Sequence, residues 1–371
     1  MIRFNFRNII CGGLIAGMGM ACENQDVKFP DSGLSTVYFA YQTPVRTIVQ
    51  GEDIYDNSLD NEGKFEIYAT MGGVYQNNKK ITIDVVVDNA IGNNLYLDED
   101  MTVPLLPMPA SYYSLAGNQI VLDKTMQGAV QVQLTDDFFN DPDALKNKYA
   151  IPLKMTNVSN ADSILVGKVK PGIDNPNRVV ASHWDNLPKD YVLYLVKYIN
   201  PWHANYLRRG KDQITVNGDN STVVRHQPTV ESDQVIAVKA ASRNAVHLPQ
   251  DYKSYSGLNL GINVQLNFDE AGNISIVEPY DELKVNDSVK VINLAATGTG
   301  KFVKKGEKNS WGGKDRDVLY LQYNVTYEVE TSFPKLGDPA RYDQVQYVTS
   351  DTLVTRDRGI KVETVAPYYK D

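Results

Sequence analysis

Two short stretches of this chain concentrate side chains able to hold a ligand. Trp202, His203, Tyr206, Arg208 and Arg209 follow directly on Asn200-Pro201. Trp311 sits in the charged loop 304–317, with Asp315 and Arg316 close behind it. Indole and phenol rings offer flat apolar faces on which the polarised C–H groups of a sugar ring stack. Neighbouring Asp and Arg supply acceptors and bidentate donors for hydroxyls or an acidic group. Each feature also has a structural alternative. Trp202 with His203 is either a platform at a rim or the end-cap of a core. Trp311 is either a stacking surface or a plug folded back over the end of its own domain. The Arg208-Arg209 pair either takes an anion or closes internal salt bridges. Trp184, within Ser182-His183-Trp184-Asp185, reads as packing at a domain interface.

Motifs for catalysis are not found. There is no Gly-x-Ser-x-Gly elbow and no His-Glu-x-x-His. Gly298-Thr299-Gly300-Lys301 has the flavour of a phosphate loop, but Phe302 stands where Ser or Thr is required and Ala295 where the first Gly belongs. The four histidines, at 183, 203, 226 and 247, lack metal-ligand spacing. Asp136, Asp137, Asp141 and Asp143 surround Phe138-Phe139, either as a calcium loop or as a solvated acidic turn; the spacing is not that of an EF-hand. With 45 acidic residues in the chain, no catalytic carboxylate pair can be picked out. The expectation is a binding protein with no enzymatic activity, no cofactor and no metal.

The N-terminus narrows the setting. Arg3 and Arg7 precede the apolar run Ile9 to Ala21, which ends at Cys22. Such a segment is too short to span a bilayer and reads as a cleaved signal peptide. A small residue before Cys22 resembles a lipobox, with Cys22 becoming the lipidated end; a plain secretory signal is the alternative. Cleavage would take the net charge from −8 to −10, because residues 1–21 hold two Arg and no acid. That balance disfavours nucleic acid as a partner. Cys11 and Cys22 are the only cysteines, so the mature chain has no disulfide and depends on core burial.

The elements that must position these side chains are strands. Lys64 to Thr70, Ile81 to Val87 and Ala129 to Leu134 alternate apolar with polar residues. Short strands with turn residues between them predict an immunoglobulin-like β-sandwich over 36–172, behind a tether at 22–35. Residues 167–178, rich in Pro and Gly, read as the linker. Tyr191 to Val196 is an apolar run that opens the second domain, 177–371. Further strands are expected at 213–216, 234–240, 258–268, 274–277, 288–292, 301–303, 318–330, 344–348 and 352–355. So many antiparallel strands suggest an up-and-down barrel with a ligand at its mouth.

A resemblance covers nearly the whole mature chain. Cys22-Glu23-Asn24-Gln25-Asp26, Phe29-Pro30 and Ser35 to Thr47 are similar to the N-terminal domain of Bacteroidetes-type surface lipoproteins, a domain also found ahead of family 18 glycoside hydrolase modules. Leu193 to Gly210 and Gly298 to Tyr327 resemble the calycin-like C-terminal barrel of two-domain members. The resemblance implies a lipoprotein of a polysaccharide-utilisation locus, anchored in the outer membrane and exposed at the cell surface. Its implied partners are a carbohydrate and a Sus-like transporter with its lipoprotein lid. A hydrolase module is absent. Competing expectations are a fimbrial-type adhesive subunit, a glycosidase, and a barrel holding a small apolar ligand as lipocalins do.

Overall fold

The computed structural model describes residues 33–254, 256–333 and 338–370. The expected signal peptide, the Cys22 lipidation site and most of the tether lie outside them. The fold is all-β, a sandwich followed by a barrel. In the sandwich, one sheet runs in the order Ser163–Ile164, Thr36–Tyr38, Lys64–Gly72, Gln127–Leu134, Tyr113–Leu115. The facing sheet is built on Pro44–Val49, Tyr191–Ile199, Tyr149–Ser159 and Lys80–Val87. Alternation dictates the packing between them. Phe65, Ile67, Ala69 and Met71 point inward from one sheet, and Ile81, Ile83 and Val85 from the other. The short helix Asp136–Asn140 drops Phe138 and Phe139 into that core against Tyr198, whose hydroxyl donates to the Phe139 carbonyl at 2.7 Å.

The Tyr191–Ile199 strand corrects the expected boundary. It pairs antiparallel with Tyr149–Ser159 and parallel with Pro44–Val49, so it is a central sandwich strand and not the first strand of the barrel. Its Val-, Leu- and Tyr-rich run is what a strand buried on both faces requires. The linker expected at 167–178 is correspondingly tied down. Lys168–Val169 pairs with Trp184–Asn186, and Arg178 binds the buried Asp190 at 2.9 Å. Trp184 is buried, its indole donating to the Asn177 carbonyl. The chain crosses into the barrel at Asn200-Pro201. The Asn200 side chain, fully buried, donates to the carbonyls of Ser242 and Ala245 and accepts from the amides of Trp202 and His203. It thereby turns the backbone and stitches the turn to the barrel in one step.

The barrel consists of Ala204–Val216, Gln234–Ser242, Ala245–Pro249, Asn263–Phe268, Asn273–Val277, Val289–Glu307, Arg316–Phe333 and Asp338–Asp357. Each pairs antiparallel with the next, and the last returns to the first from Asn205↔Asp357 to Val216↔Val345. A closed sheet of this kind has no free edge along its circumference. Leu319, Leu321, Tyr323, Val325, Tyr327 and Val329 face the interior, while Tyr320 and Gln322 face out. Asp219–Arg225 extends the sheet as a hairpin partner of Ala204–Val216. Two long strands are continuous where the sequence suggested pairs of short ones. Val289–Glu307 passes through a bulge after Ile292, with Asn293 at φ +54°, and Asp338–Asp357 runs unbroken through Ser350-Asp351. Inward-facing glycines permit this. A Cβ on Gly210 would stand 2.3 Å from the Asp351 carboxylate, and one on Gly298 2.4 Å from the Cβ of Tyr323. Gly298-Thr299-Gly300-Lys301 is thus mid-strand backbone.

The chain then returns to the sandwich. Glu363–Thr364 pairs with Pro44-Val45, and Tyr368–Tyr369 with Leu95–Tyr96. Residues expected to finish the barrel domain therefore cover the first domain's sheet edge. Arg358 locks the junction. Its guanidinium donates to the carbonyls of Gln50, Glu52, Asn200 and His203 at 2.7–3.1 Å.

Candidate functional site

The residues nominated around Trp202 are brought together, but as the floor of the barrel. Trp202 stacks on Phe268 at 4.0 Å and meets Phe302 edge-on, packing against the interior cluster. Tyr206 is buried and donates its hydroxyl to the Trp202 carbonyl at 2.9 Å. His203 accepts the Ala240 amide at Nδ1, which requires that nitrogen unprotonated. Burial, with the charges of Arg358, Lys239 and Lys197, lowers its imidazole to about 4.

A pH dependence follows from His203. An unfolded histidine titrates near 6.5, so between there and about 4 the unfolded chain binds a proton that the folded chain refuses. Stability is full above pH 6.5 and falls with pH through that window, by on the order of 3 kcal/mol. Urea titrations at stepped pH should show His203→Gln flattening this slope relative to the parent. Equal slopes in the two proteins would assign the dependence to other groups.

Trp311 closes no barrel end. It lies on the outer wall against Leu207, Val318 and Val354, and donates its indole N–H to the Thr355 carbonyl. The Arg316 guanidinium stacks 3.6 Å above its ring and donates to its carbonyl. Asp315 accepts from Lys308 and from the Asn309 amide, which hold its carboxyl below its ordinary range. The partners that sequence reasoning offered to a ligand are thus engaged with each other. Around the Phe138-Phe139 helix, Asp141 accepts from Tyr112 and Tyr149, and Asp143 pairs with Lys146 and Lys148. Among the described residues no group of His, Cys, Asp or Glu is placed to hold a metal ion.

Arg208 and Arg209 point to opposite sides of their strand. Arg209 binds Asp233 on the outside. Arg208 enters the barrel interior, where it pairs with Asp351 at 2.7 Å and donates to Gln250 at 2.9 Å and Tyr323 at 3.2 Å. Asp351 also accepts from Tyr323 and from Arg225, which in turn binds Asp212. Burial and the neighbouring carboxylate push the Tyr323 phenol far up, so it serves as a neutral donor. Above it Tyr252 stacks on Tyr347 at 4.0 Å.

An open concavity among the described residues lies elsewhere. A groove of about 420 Å³ runs over the outer wall, lined by Lys211, Gln213, Thr297, Gln322, Asn324, Val348 and Ser350, with Tyr323 and Thr349 in its floor. Register explains why these residues converge. Thr299, Gln322, Ser350 and Lys211 form one cross-strand row, and Thr297, Asn324, Val348 and Gln213 the next. Tyr320, partly exposed, stands on the same face two residues before Gln322. The Gln322, Gln213 and Lys211 side chains make no hydrogen bond to other described residues, while Asn324 accepts from Gln346 at 3.2 Å. Such a surface can present amide donors and acceptors, a hydroxyl and an ammonium to a polyhydroxylated ligand without dismantling internal bonds. Sequence reasoning missed it because Gln322 and Asn324 read as the wet face of an ordinary strand. The available signal was the run of amides alternating with Leu321, Tyr323 and Val325.

The comparisons fall on the two domains separately. Residues 201–359 match the family described as Domain of unknown function (DUF5627), and residues 30–162 a family described as "-like, N-terminal domain". A solved Bacteroides ovatus protein of unknown function is 42% identical, covering 91% of this chain and 99% of its own at a TM-score of 0.79. A Bacteroides ovatus multidomain protein including DUF1735 is 13% identical, covering 89% and 99% at a TM-score of 0.41. An auxiliary nutrient binding protein from Bacteroides thetaiotaomicron is 14% identical, covering 86% and 95% at a TM-score of 0.35. No curated protein matches the chain at a significant level.

Proposed function

We propose, from the premise that this chain belongs to the same two-domain family as that 42% identical Bacteroides ovatus protein, that it is a non-catalytic glycan-binding protein whose site is the groove on the outer barrel wall. The observation carrying the proposal is the groove itself, a concavity lined by polar side chains of which the Gln213 and Gln322 amides and the Lys211 ammonium make no hydrogen bond to other described residues. Glycans are recognised by such groups because each sugar hydroxyl donates and accepts, and an amide matches both. Tyr320 adds a flat face at the groove's border. In this reading Cys22 carries lipid, the tether and sandwich hold the barrel off the outer membrane, and captured polysaccharide passes to a Sus-like transporter. Anchoring raises the local concentration of sites, so weak single-site binding suffices.

Affinity electrophoresis and calorimetry against a panel of plant and host glycans test this reading. The protein should bind one glycan class, and Gln322→Ala with Asn324→Ala should weaken it about thirtyfold, as expected for two lost hydrogen bonds of about 1 kcal/mol each. The unfolding midpoint should stay in place, because both side chains face outward. Binding unaffected by the pair, or absent from the whole panel, would overturn the reading; sugar release from the panel would turn it into an enzyme.

A further inference from the structure

The charge pattern around the groove goes further than its shape. Register carries the face across neighbouring strands. One row reads Ser275, Thr299, Gln322, Ser350, Lys211, Val224, and the next Val277, Thr297, Asn324, Val348, Gln213, Thr222. The row on the Tyr320 side reads Asn273, Lys301, Tyr320, Thr352, Arg209. These positions hold Lys301, Arg209 and Lys211 and not one Asp or Glu, in a chain whose formal charge is −8. The acids nearest in sequence, Asp212 and Asp351, point to the opposite side, into the barrel, where Arg225 and Arg208 neutralise them. Glu307 reaches the border only to accept from the Tyr320 hydroxyl at 2.6 Å.

The three cations are not equivalent. Arg209 is held by the buried Asp233. Lys301 is spent on the Ala271 carbonyl and the Asn273 side chain, both at 2.8 Å. Lys211 lines the groove and has no hydrogen-bond or ion-pair partner among the described residues. An ammonium flanked by neutral amides, in cross-strand rows that hold no carboxylate, is placed to take an anion. The absence of Asp and Glu from these rows lowers the like-charge repulsion that an acidic protein exerts on an anion, and salt screening reduces it further.

We infer that the glycan taken by this groove is acidic, with a carboxylate or sulfate of the sugar seated on Lys211. The inference rests on the reading of the groove as the binding site. Gln213, Gln322 and Ser350 lie beside that position and can take the hydroxyls of the same sugar residue.

Calorimetry on the full chain with three sets of short oligosaccharides tests it: oligogalacturonates for the carboxylate, carrageenan oligosaccharides for the sulfate, and neutral manno-, xylo- and cello-oligosaccharides. One acidic set should bind, identifying the anion. Lys211→Met should weaken that binding about tenfold or more, Lys211→Arg should retain most of it, and added salt should weaken the parent more than Lys211→Met. Lys284→Met, which removes an exposed lysine already paired with Asp287, should change nothing. Acidic oligosaccharides that bind the parent and Lys211→Met equally would overturn the inference. A neutral set bound in preference, and lost with Gln322→Ala and Asn324→Ala, would overturn the inference while leaving the groove as the glycan site. Absence of binding by every set would overturn both.

Discussion

Asp351→Asn is expected to destabilise the barrel by about 3–5 kcal/mol, the usual cost of removing one partner of a buried ion pair. Asp351 is buried and receives Arg208 and Tyr323 on one oxygen and Arg225 on the other. An asparagine keeps one acceptor and turns an amide donor towards guanidinium groups that have no acceptor of their own. The loss should appear as a lower urea midpoint with an unchanged slope. A shift worth less than about 1 kcal/mol would mean that water replaces the carboxylate and that the interior is wetter than its burial suggests. The double variant Arg208→Met with Asp351→Leu is a sharper comparison. Removing both charges from a low-dielectric interior spares their desolvation, so it should cost less than Asp351→Asn alone. Arg225 would still hold Asp212.

Arg358→Ala is expected to uncouple the two domains. The guanidinium satisfies four carbonyls, those of Gln50 and Glu52 from the sandwich, of Asn200 at the crossing and of His203 from the barrel floor. Hydrogen bonds to a charged donor contribute about 1.5–3 kcal/mol each, and re-entry of water recovers part of that, so a net loss of about 2–4 kcal/mol is expected. In scanning calorimetry a single transition should broaden or split in two, with the barrel melting apart from the sandwich. Arg356→Ala is the control. Arg356 is half-exposed and, among the described residues, pairs only with Asp357 at 3.5 Å, so its loss should fall within about 0.5 kcal/mol of neutral. A single unshifted transition for Arg358→Ala would place the coupling instead in the C-terminal strands and the Asn200 turn. The His203 slope bears on the same junction, since His203 lends its carbonyl to Arg358 and takes its depressed titration partly from that charge.

The all-β class and the order sandwich then barrel were legible in the residues. Period-two alternation is a local property, and Lys64–Gly72 and Arg316–Phe333 carry it without ambiguity. The partner of a strand is not local. Tyr191–Ile199 has the composition of any strand buried on both faces, and only its hydrogen bonds to Tyr149–Ser159 and Pro44–Val49 assign it to the sandwich. The strand Asp338–Asp357 was misread for a related reason. Ser350-Asp351 looks like a break because a carboxylate rarely sits in a strand interior, yet Arg208, distant in sequence, makes that burial possible.

Chemical character was fixed by composition, and exposure was decided by packing. The sequence alone determined that the chain is acidic, that its two cysteines fall at positions 11 and 22, and that aromatic and guanidinium groups crowd positions 202–209 and 311–316. Tertiary structure decided that Phe268 covers Trp202 and that Arg316 covers Trp311, so neither ring is offered whole to solvent. It also assembled the groove, by setting Gln322 and Asn324 in register with Thr299, Thr297, Ser350, Val348, Lys211 and Gln213. Three of the four strands that carry them follow one another in the chain, and the fourth, Ala204–Val216, with Lys211 and Gln213, is distant in sequence. Lys211 and Gln213 reach the groove through the closure of the barrel, a long-range pairing that no window along the chain contains.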